Sequence, residues 1–231
     1  MQTITGARKE LKAEIAGLVE DKLNALLSRR SVVVLGLCGG KSVSGIYERF
    51  KKIKVEWKRV HIFLIDERVG DSSNLKLIKE SFVDYLVDKG IIPKENVHKF
   101  IFSGYDKIDG DLKRYNGILE KLGGRFNVVI ASSGEDGHVA SLFPKHETVK
   151  SKVAGYIYTD NSPKPPKERI TASRSLLLKT GTAIGLFFGE EKREAYEKLF
   201  YQNVSDIDLP IKIIGEISDS YIFSDLEEKE V

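Results

Sequence analysis

Apolar residues follow two rhythms along this chain. The first is a set of short, continuous runs: Ser31–Leu37 (S-V-V-V-L-G-L), Val60–Ile65, Phe126–Ala131 and Thr182–Phe188, with weaker ones at Val97–Phe102, Val153–Thr159 and Tyr221–Phe223. Runs this short, β-branched and free of alternating polar residues suit strands of a parallel sheet covered on both faces. The second rhythm is helical. In Ala7–Ser28, Leu11, Ile15, Leu18, Val19, Leu23 and Leu26 recur at helical spacing among charged residues. A helix is predicted from Ser73, its N-cap, to Val87, with Leu75, Ile78, Phe82, Tyr85 and Leu86 on one face. Another covers Asp109–Leu122 and stops at Gly123-Gly124. Val43–Phe50 and the stretch from Glu190 to about Phe200 also read as helical. Strands alternate with helices, with no internal repeat and no dividing linker. The expected fold is α/β: a mostly parallel, doubly wound open sheet with helices on both faces, Rossmann-like, with residues 1–231 as one domain. The acidic tail Asp225–Val231 is expected to fray.

Composition narrows the partners. Charged residues make up 31% and hydrophobic ones 41%, which is globular rather than disordered. With 37 basic against 34 acidic residues and no basic block, nothing points to nucleic acid. The single cysteine, Cys38, excludes an internal disulfide and a multi-cysteine zinc site. No run is long enough for a membrane span, and the N-terminus lacks a signal peptide's apolar core. The expectation is a cytoplasmic protein with no membrane and no obligate protein partner.

Four stretches carry candidate chemistry. Ile130–Pro144, I-A-S-S-G-E-D-G-H-V-A-S-L-F-P, follows an apolar strand and is predicted to end in an apolar helical turn and a proline stop. A strand that breaks at glycine and re-forms as a helix offers N–H groups to an anion. The strand ending at Leu37 runs into Cys38-Gly39-Gly40-Lys41-Ser42, again followed by a predicted helix. That turn has neither Walker nor dinucleotide spacing. Asp66-Glu67-Arg68 stands at the carboxyl end of a buried strand, where open α/β sheets place their sites. The proline-rich Asn161–Lys167 leads into Glu168-Arg169-Ile170-Thr171. Taken singly, each has a plainer reading: glycine turns, a surface ion pair, a solvated basic loop around Lys164 and Lys167. His61 and His98 read as packing or surface residues and His146 as solvated. Cys38 reads as a small buried residue rather than a nucleophile.

Together, in this order and spacing, L-C-G-G-K-S, D-E-R, G-E-D-G-H-V-A-S-L-F-P, K-P-P-K-E-R-I-T and G-E-E-K (189–192) resemble the 6-phosphogluconolactonase family and its relative, glucosamine-6-phosphate deaminase. Ser141-Leu142-Phe143-Pro144 sides with the lactonases. The resemblance implies a small-molecule sugar-phosphate lactone as substrate, with no cofactor and no metal. It implies that Gly39, Gly40 and Ser42 hold the 6-phosphate, that Lys41 adds positive charge there, and that Arg169 and Lys192 are its basic ligands. Asp66 and Arg68 then line the sugar pocket, and Asp136 and His138 are the catalytic pair. The chain departs from the family pattern at Cys38 and Lys41, in a shorter loop after Asp-Glu-Arg, and at Ser132, which replaces the first glycine of the histidine loop. Two alternatives stand beside the lactonase: a deaminase-isomerase using Asp66 as base, and a non-catalytic sugar-phosphate sensor. Ser141–Pro144 weighs against the first, and the presence of Asp136 and His138 against the second.

Overall fold

All five residues of Val33–Leu37 are buried, and the main sheet is laid out to either side of them. The computed structural model describes residues 1–70 and 73–226. Its strands run in chain order as β1 (Gln2–Thr5), β2 (Val33–Leu37), β3 (Val60–Leu64), β4 (Asp66–Arg68), β5 (Val97–His98), β6 (Val128–Ser132), β7 (Tyr156–Thr159), β8 (Arg169–Ala172), β9 (Thr182–Phe187) and β10 (Asp219–Ser224). Seven form one parallel sheet in the order β1-β10-β9-β6-β2-β3-β5. The fold is thus the expected α/β class. β2 and β9 are buried at every position, so both faces of the sheet centre are covered.

The order of the strands locates a site. The chain steps outward from β2 to β3 and β5, then returns to the other side of β2 to lay down β6, β9 and β10. The direction reverses between β2 and β6, where Leu37 stands opposite Ile130. Ligands in open α/β sheets bind outside the carboxyl ends of the strands at such a switch point. The glycine turn after β2 and the histidine loop after β6 flank it.

A second sheet, β4-β8-β7, is antiparallel and is not apparent from the apolar pattern. Ile65 joins the two sheets: its N–H donates to Leu37 O (2.9 Å) and its carbonyl accepts from Ala172 N–H (2.7 Å). Register in the small sheet sets Asp66 opposite Thr171 and Arg68 opposite Arg169.

The helix Arg8–Leu27 matches its prediction and buries Leu11, Ile15, Val19 and Leu23. Other expectations change. Val43–Phe50 is not an α-helix but two 3-10 turns, Lys41–Val43 and Tyr47–Lys51, because Gly45 at φ 79° interrupts it. Tyr47 and Phe50 still anchor the segment, packing with Trp57 and Phe82 at centroid distances from 5.2 to 6.2 Å. Tyr47 then donates to Cys38 O (2.8 Å), tying the glycine turn to this aromatic cluster.

No helical turn follows His138. Val139 bridges to Ser133 and to Leu142, with Ala140 at φ 53°. The predicted strand Val97–Phe102 keeps only two residues, and Ile101 is exposed. Val153 is exposed and its strand begins at Tyr156. The helix from Ser73 contains a π-helical turn, Lys79–Val83, before Asp84–Asp88. Tyr85 lies outside the core, with the Lys51 ammonium 5.9 Å from its ring centroid. Of the acidic tail, Asp225 is held by Gly189 N–H at 2.9 Å and by Arg8, and Leu226 is buried. The rest of the tail lies outside the described residues.

Ser73 is not the cap of its helix. The buried Glu67 carboxylate accepts the N–H groups of Asn74 (3.1 Å) and Leu75 (2.8 Å), and that of Arg68 (2.8 Å). A carboxylate at a helix start satisfies otherwise orphaned donors and complements the dipole. Removing it strands buried N–H groups, so Glu67→Ala should lower stability by about 1.5–3 kcal/mol in urea unfolding, and Glu67→Gln by less. A midpoint unchanged in Glu67→Ala would contradict this account.

Candidate active site

At the switch point, the carboxyl ends of the central strands enclose a cavity of about 270 Å³. The glycine turn (Gly39, Gly40, Lys41, Ser42) lines one wall, Asp66, Arg68 and Arg169 another, and Ser132, His138 and Lys192 the rest. Asp136 does not line it but stands behind His138.

Lys192 follows β9 and is 7% exposed. Its ammonium donates to Ser42 Oγ (2.5 Å) and Ser132 Oγ (2.8 Å), and burial pulls its pKa down. Ser132, the departure from the family's glycine, is thus an acceptor that places this lysine. Arg169 spends Nε on Pro166 O (3.0 Å) and Nη2 on Pro165 O (2.9 Å) and Lys164 O (3.2 Å). The proline-rich loop is therefore a bracket for Arg169 rather than a solvated tether. Arg68 donates through Nη1 to Ser73 Oγ, while its Nε is buried without a partner among the described residues. Two arginines directly opposed across a ladder repel, and a buried donor without an acceptor is costly. Lys41, exposed at the rim, adds further charge. This wall is built to take an anion. Gly39 permits its shape, because a Cβ there would lie 2.0 Å from Asn74 Oδ1.

His138 brings an imidazole to the same cavity. After β6 the chain closes a tight loop, with Gly134 N–H donating to His138 O (2.9 Å) and Gly137 N–H to Gly134 O (3.1 Å). Ser132 has not loosened it. His138 Nδ1 lies 2.5 Å from Asp136 Oδ1. A carboxylate only accepts, so Nδ1 carries a proton, and in the neutral ring the lone pair is then on Nε2. Gly134 leaves room for the ring: a Cβ there would lie 2.0 Å from Nδ1. Burial works to raise the Asp136 carboxyl, but His138 and the Lys164 charge hold it well below the usual carboxylate range. Lys164 contacts Glu135 at 2.8 Å and Asp136 at 3.5 Å, so this partly exposed side chain has definite partners.

Asp66 is buried. It accepts from Ser141 Oγ (2.9 Å) and Asn74 Nδ2 (3.3 Å), and burial raises its pKa against the opposing effects of Ser141 and Arg169. The Cys38 thiol is pushed up to about 12 by burial and by Asp66, which keeps it protonated and bears out the packing role. His61 and His98 stack beside Phe63, well away from the cavity. His146 caps the helix Glu147–Lys150 by accepting from Thr148 N–H at 3.3 Å.

Residues 6–223 match the family model described as glucosamine-6-phosphate isomerases/6-phosphogluconolactonase. The chain belongs to this family. A 6-phosphogluconolactonase of Borreliella burgdorferi is 31% identical over 214 residues, covering 91% of either chain. The crystal structure of 6-phosphogluconolactonase from Thermotoga maritima superposes with a TM-score of 0.80 at 25% identity, covering 96% of this chain and 97% of that one. A monomeric glucosamine-6-phosphate deaminase gives a TM-score of 0.79 at 18% identity, covering 97% of each chain, which speaks for the shared fold alone. The likenesses place the chain among the hydrolases of the family. Among the described residues no helix is long and apolar enough to cross a membrane, and no group of three or more His, Cys, Asp and Glu is placed to hold a metal ion.

The family motifs gave no site role to Asn74, Glu135, Lys164 or Glu191, and used Ser141 only as part of the segment that sides with the lactonases. Asn74 and Glu191 line the cavity, and Ser141 and Lys164 buttress those that do. Hydroxyl and charged residues beside strand ends were the available signal, but their partners lie far away in sequence.

The Asp136 pairing has a pH signature. Its folded pKa is depressed, so the stability it contributes is present above the ordinary carboxylate value of about 3.9 and is lost as pH falls through the folded value. Asp136→Asn should therefore differ from wild type in urea midpoint most at about pH 5–6, with the gap closing below about pH 4. A gap that stayed constant across this range would contradict the pairing.

Proposed function

We propose that this chain hydrolyses 6-phospho-D-glucono-1,5-lactone to 6-phospho-D-gluconate, in the pentose phosphate pathway, with His138 as general base. The observation that carries the reading is an imidazole fixed at 2.5 Å from Asp136 in a cavity also lined by Arg68, Arg169 and Lys192. The substrate has the matching two ends, a phosphate dianion and an ester carbonyl. Lys192, Arg169, Ser42, Lys41 and the Gly39-Gly40 turn take the phosphate. Guanidinium suits bidentate contact and ammonium supplies point charge.

A lactone needs a placed water, a base and a stabilised oxyanion. Nε2 of His138 removes a proton from water as its oxygen bonds to C1. Asp136 keeps the ring in the tautomer that leaves Nε2 free and stabilises the imidazolium that forms. Arg68 stabilises the charge developing on the carbonyl oxygen. As the bond from C1 to the ring oxygen breaks, the imidazolium returns the proton to that oxygen. The deaminase alternative needs a carboxylate base, and Asp66 is the candidate. Its Oδ2 already accepts from Ser141, which favours the lactone reading.

Acid release from freshly generated lactone, with spontaneous opening subtracted, tests the proposal. His138→Ala should lose on the order of 10²–10⁴ in kcat with little change in KM. Wild type at background, or ammonia release from glucosamine 6-phosphate, would overturn it. Gly134→Ala should remain folded by circular dichroism yet lose most of its kcat, because the added methyl displaces the imidazole. A near-wild-type rate in that variant would show that ring placement is not limiting.

A further inference from the structure

Lys164 lies in a loop that touches both working parts of the cavity. Its carbonyl accepts from Arg169 Nη2 at 3.2 Å. Its ammonium sits between Glu135 Oε1 (2.8 Å) and Asp136 Oδ1 (3.5 Å), and that same Asp136 oxygen faces His138 Nδ1 at 2.5 Å. Backbone therefore serves the arginine, while the side chain serves the pair behind the base. A lysine extended onto two carboxylates gives up conformational freedom, and here it does so beside groups that must hold one protonation state.

We propose that Lys164 is a positioning residue for the base: its ammonium neutralises the carboxylate face behind His138, so that the imidazole is held unprotonated and ready to accept a proton. The inference rests on the reading of His138 as general base. Without the ammonium, Glu135 and Asp136 would both favour an imidazolium, which cannot take a proton from water.

Arg68, Lys192 and Glu191 share the cavity with His138 without an ion pair to it or to Asp136 among the described residues. Across the cavity stands Asp66, which is tied to Ser141. Arg169 lies 5.8 Å from the Phe143 ring centroid, with the imidazole 4.8 Å away from the same ring. In the hollow behind Asp136, Lys198 pairs with Glu194 at 2.6 Å and Lys145 with Asp208 at 3.7 Å. Lys164 is the cation in direct contact with the Asp136–His138 pair.

The test uses full-length wild type, Lys164→Met, Lys164→Arg and Glu135→Gln. Lactone hydrolysis is followed from about pH 5.5 to 8, around the ordinary histidine range. Proton NMR follows the His138 Cε1–H resonance in parallel, assigned by its loss in His138→Ala. In Lys164→Met the acid limb of kcat/KM and the imidazole titration should both move to higher pH by about 0.5–1 unit. At about pH 6 that is roughly a 3–10-fold loss, shrinking towards the plateau. KM should change less than about twofold, because the contact to Arg169 is made by the backbone. Lys164→Arg should restore the wild-type profile, and Glu135→Gln should move it the opposite way. A Lys164→Met profile superimposed on wild type, or both variants shifting in one direction, would overturn the assignment. Should wild type prove inactive on the lactone, the functional reading fails, yet the NMR titration still decides what Lys164 does. Should wild type be active with an unmoved titration, only the Lys164 assignment fails.

Discussion

Everything at the carboxyl edge of this sheet answers one constraint: three positively charged side chains must be held around one cavity without a contact ion pair to any carboxylate among the described residues. Register in the small sheet puts Arg68 directly across from Arg169, and Lys192 comes in from the far side of the switch point. Left alone, such groups would splay into solvent. Arg169 is instead bracketed by the carbonyls of Lys164, Pro165 and Pro166, and Lys192 by two serine hydroxyls. Neutral acceptors are the useful choice. They fix position without cancelling the charge, so the full attraction remains for a ligand.

The carboxylates nearby are kept to other duties. Glu67 turns away from its arginine neighbour's head group to seat the helix start at Ser73, which carries the Ser73 hydroxyl that Arg68 meets. Asp66 is satisfied by Ser141 and Asn74, and Asp136 by His138 and Lys164. Opposite charges are thus present in the cavity wall, yet each has a partner, and the cation wall remains available. Backbone makes the same economy of space. Gly39 lets Asn74 approach, and Gly134 lets the imidazole lie flat against its own loop. Below them, Tyr47, Phe50, Trp57 and Phe82 give the glycine turn a rigid floor.

What could be read in the sequence follows from how local each cause is. The core strands were legible because burial on both faces leaves an unbroken apolar run, as in Val33–Leu37 and Thr182–Phe187. Arg8–Leu27 was legible because its buried stripe repeats within the helix itself. The small sheet was not, because Asp66–Arg68 is a strand only by pairing with Arg169–Ala172, a hundred residues on, and its side chains are chosen for the cavity rather than for a core. The predicted turns of helix after Gly40 and after His138 failed for a related reason. Val43, Tyr47, Val139 and Leu142 are apolar because they plug the floor of the site, and plugging does not need helical periodicity. The same holds for the site residues. Gly39, Gly40, Lys41, Ser42, Asp66, Arg68, His138, Arg169 and Lys192 converge on one cavity as their motifs implied. Lys164 looked like a solvated loop residue because its partners come from a different strand's loop.

The fold by itself does not choose between the family's chemistries, since a deaminase superposes about as well as a lactonase. The choice has to lie in side chains that alter what a carboxylate or an imidazole can do. Position 141 is one such place. Its hydroxyl donates to Asp66 from a fully buried setting, and its own N–H is held by Thr171 Oγ1 at 3.1 Å. Burial raises the Asp66 pKa overall, against that hydroxyl bond and the Arg169 charge, which favour the anion. Phe143 is another: its apolar ring packs near both the imidazole, at 4.8 Å, and the Arg169 guanidinium, at 5.8 Å, without adding a titrating group. In this chain, then, Asp66 is held by Ser141 and Asn74, while the His138 ring is oriented by Asp136. The two groups thus differ in setting, one buried with its pKa raised and one lining the cavity beside a carboxylate, and that difference lies in side chains rather than in the sheet that carries them.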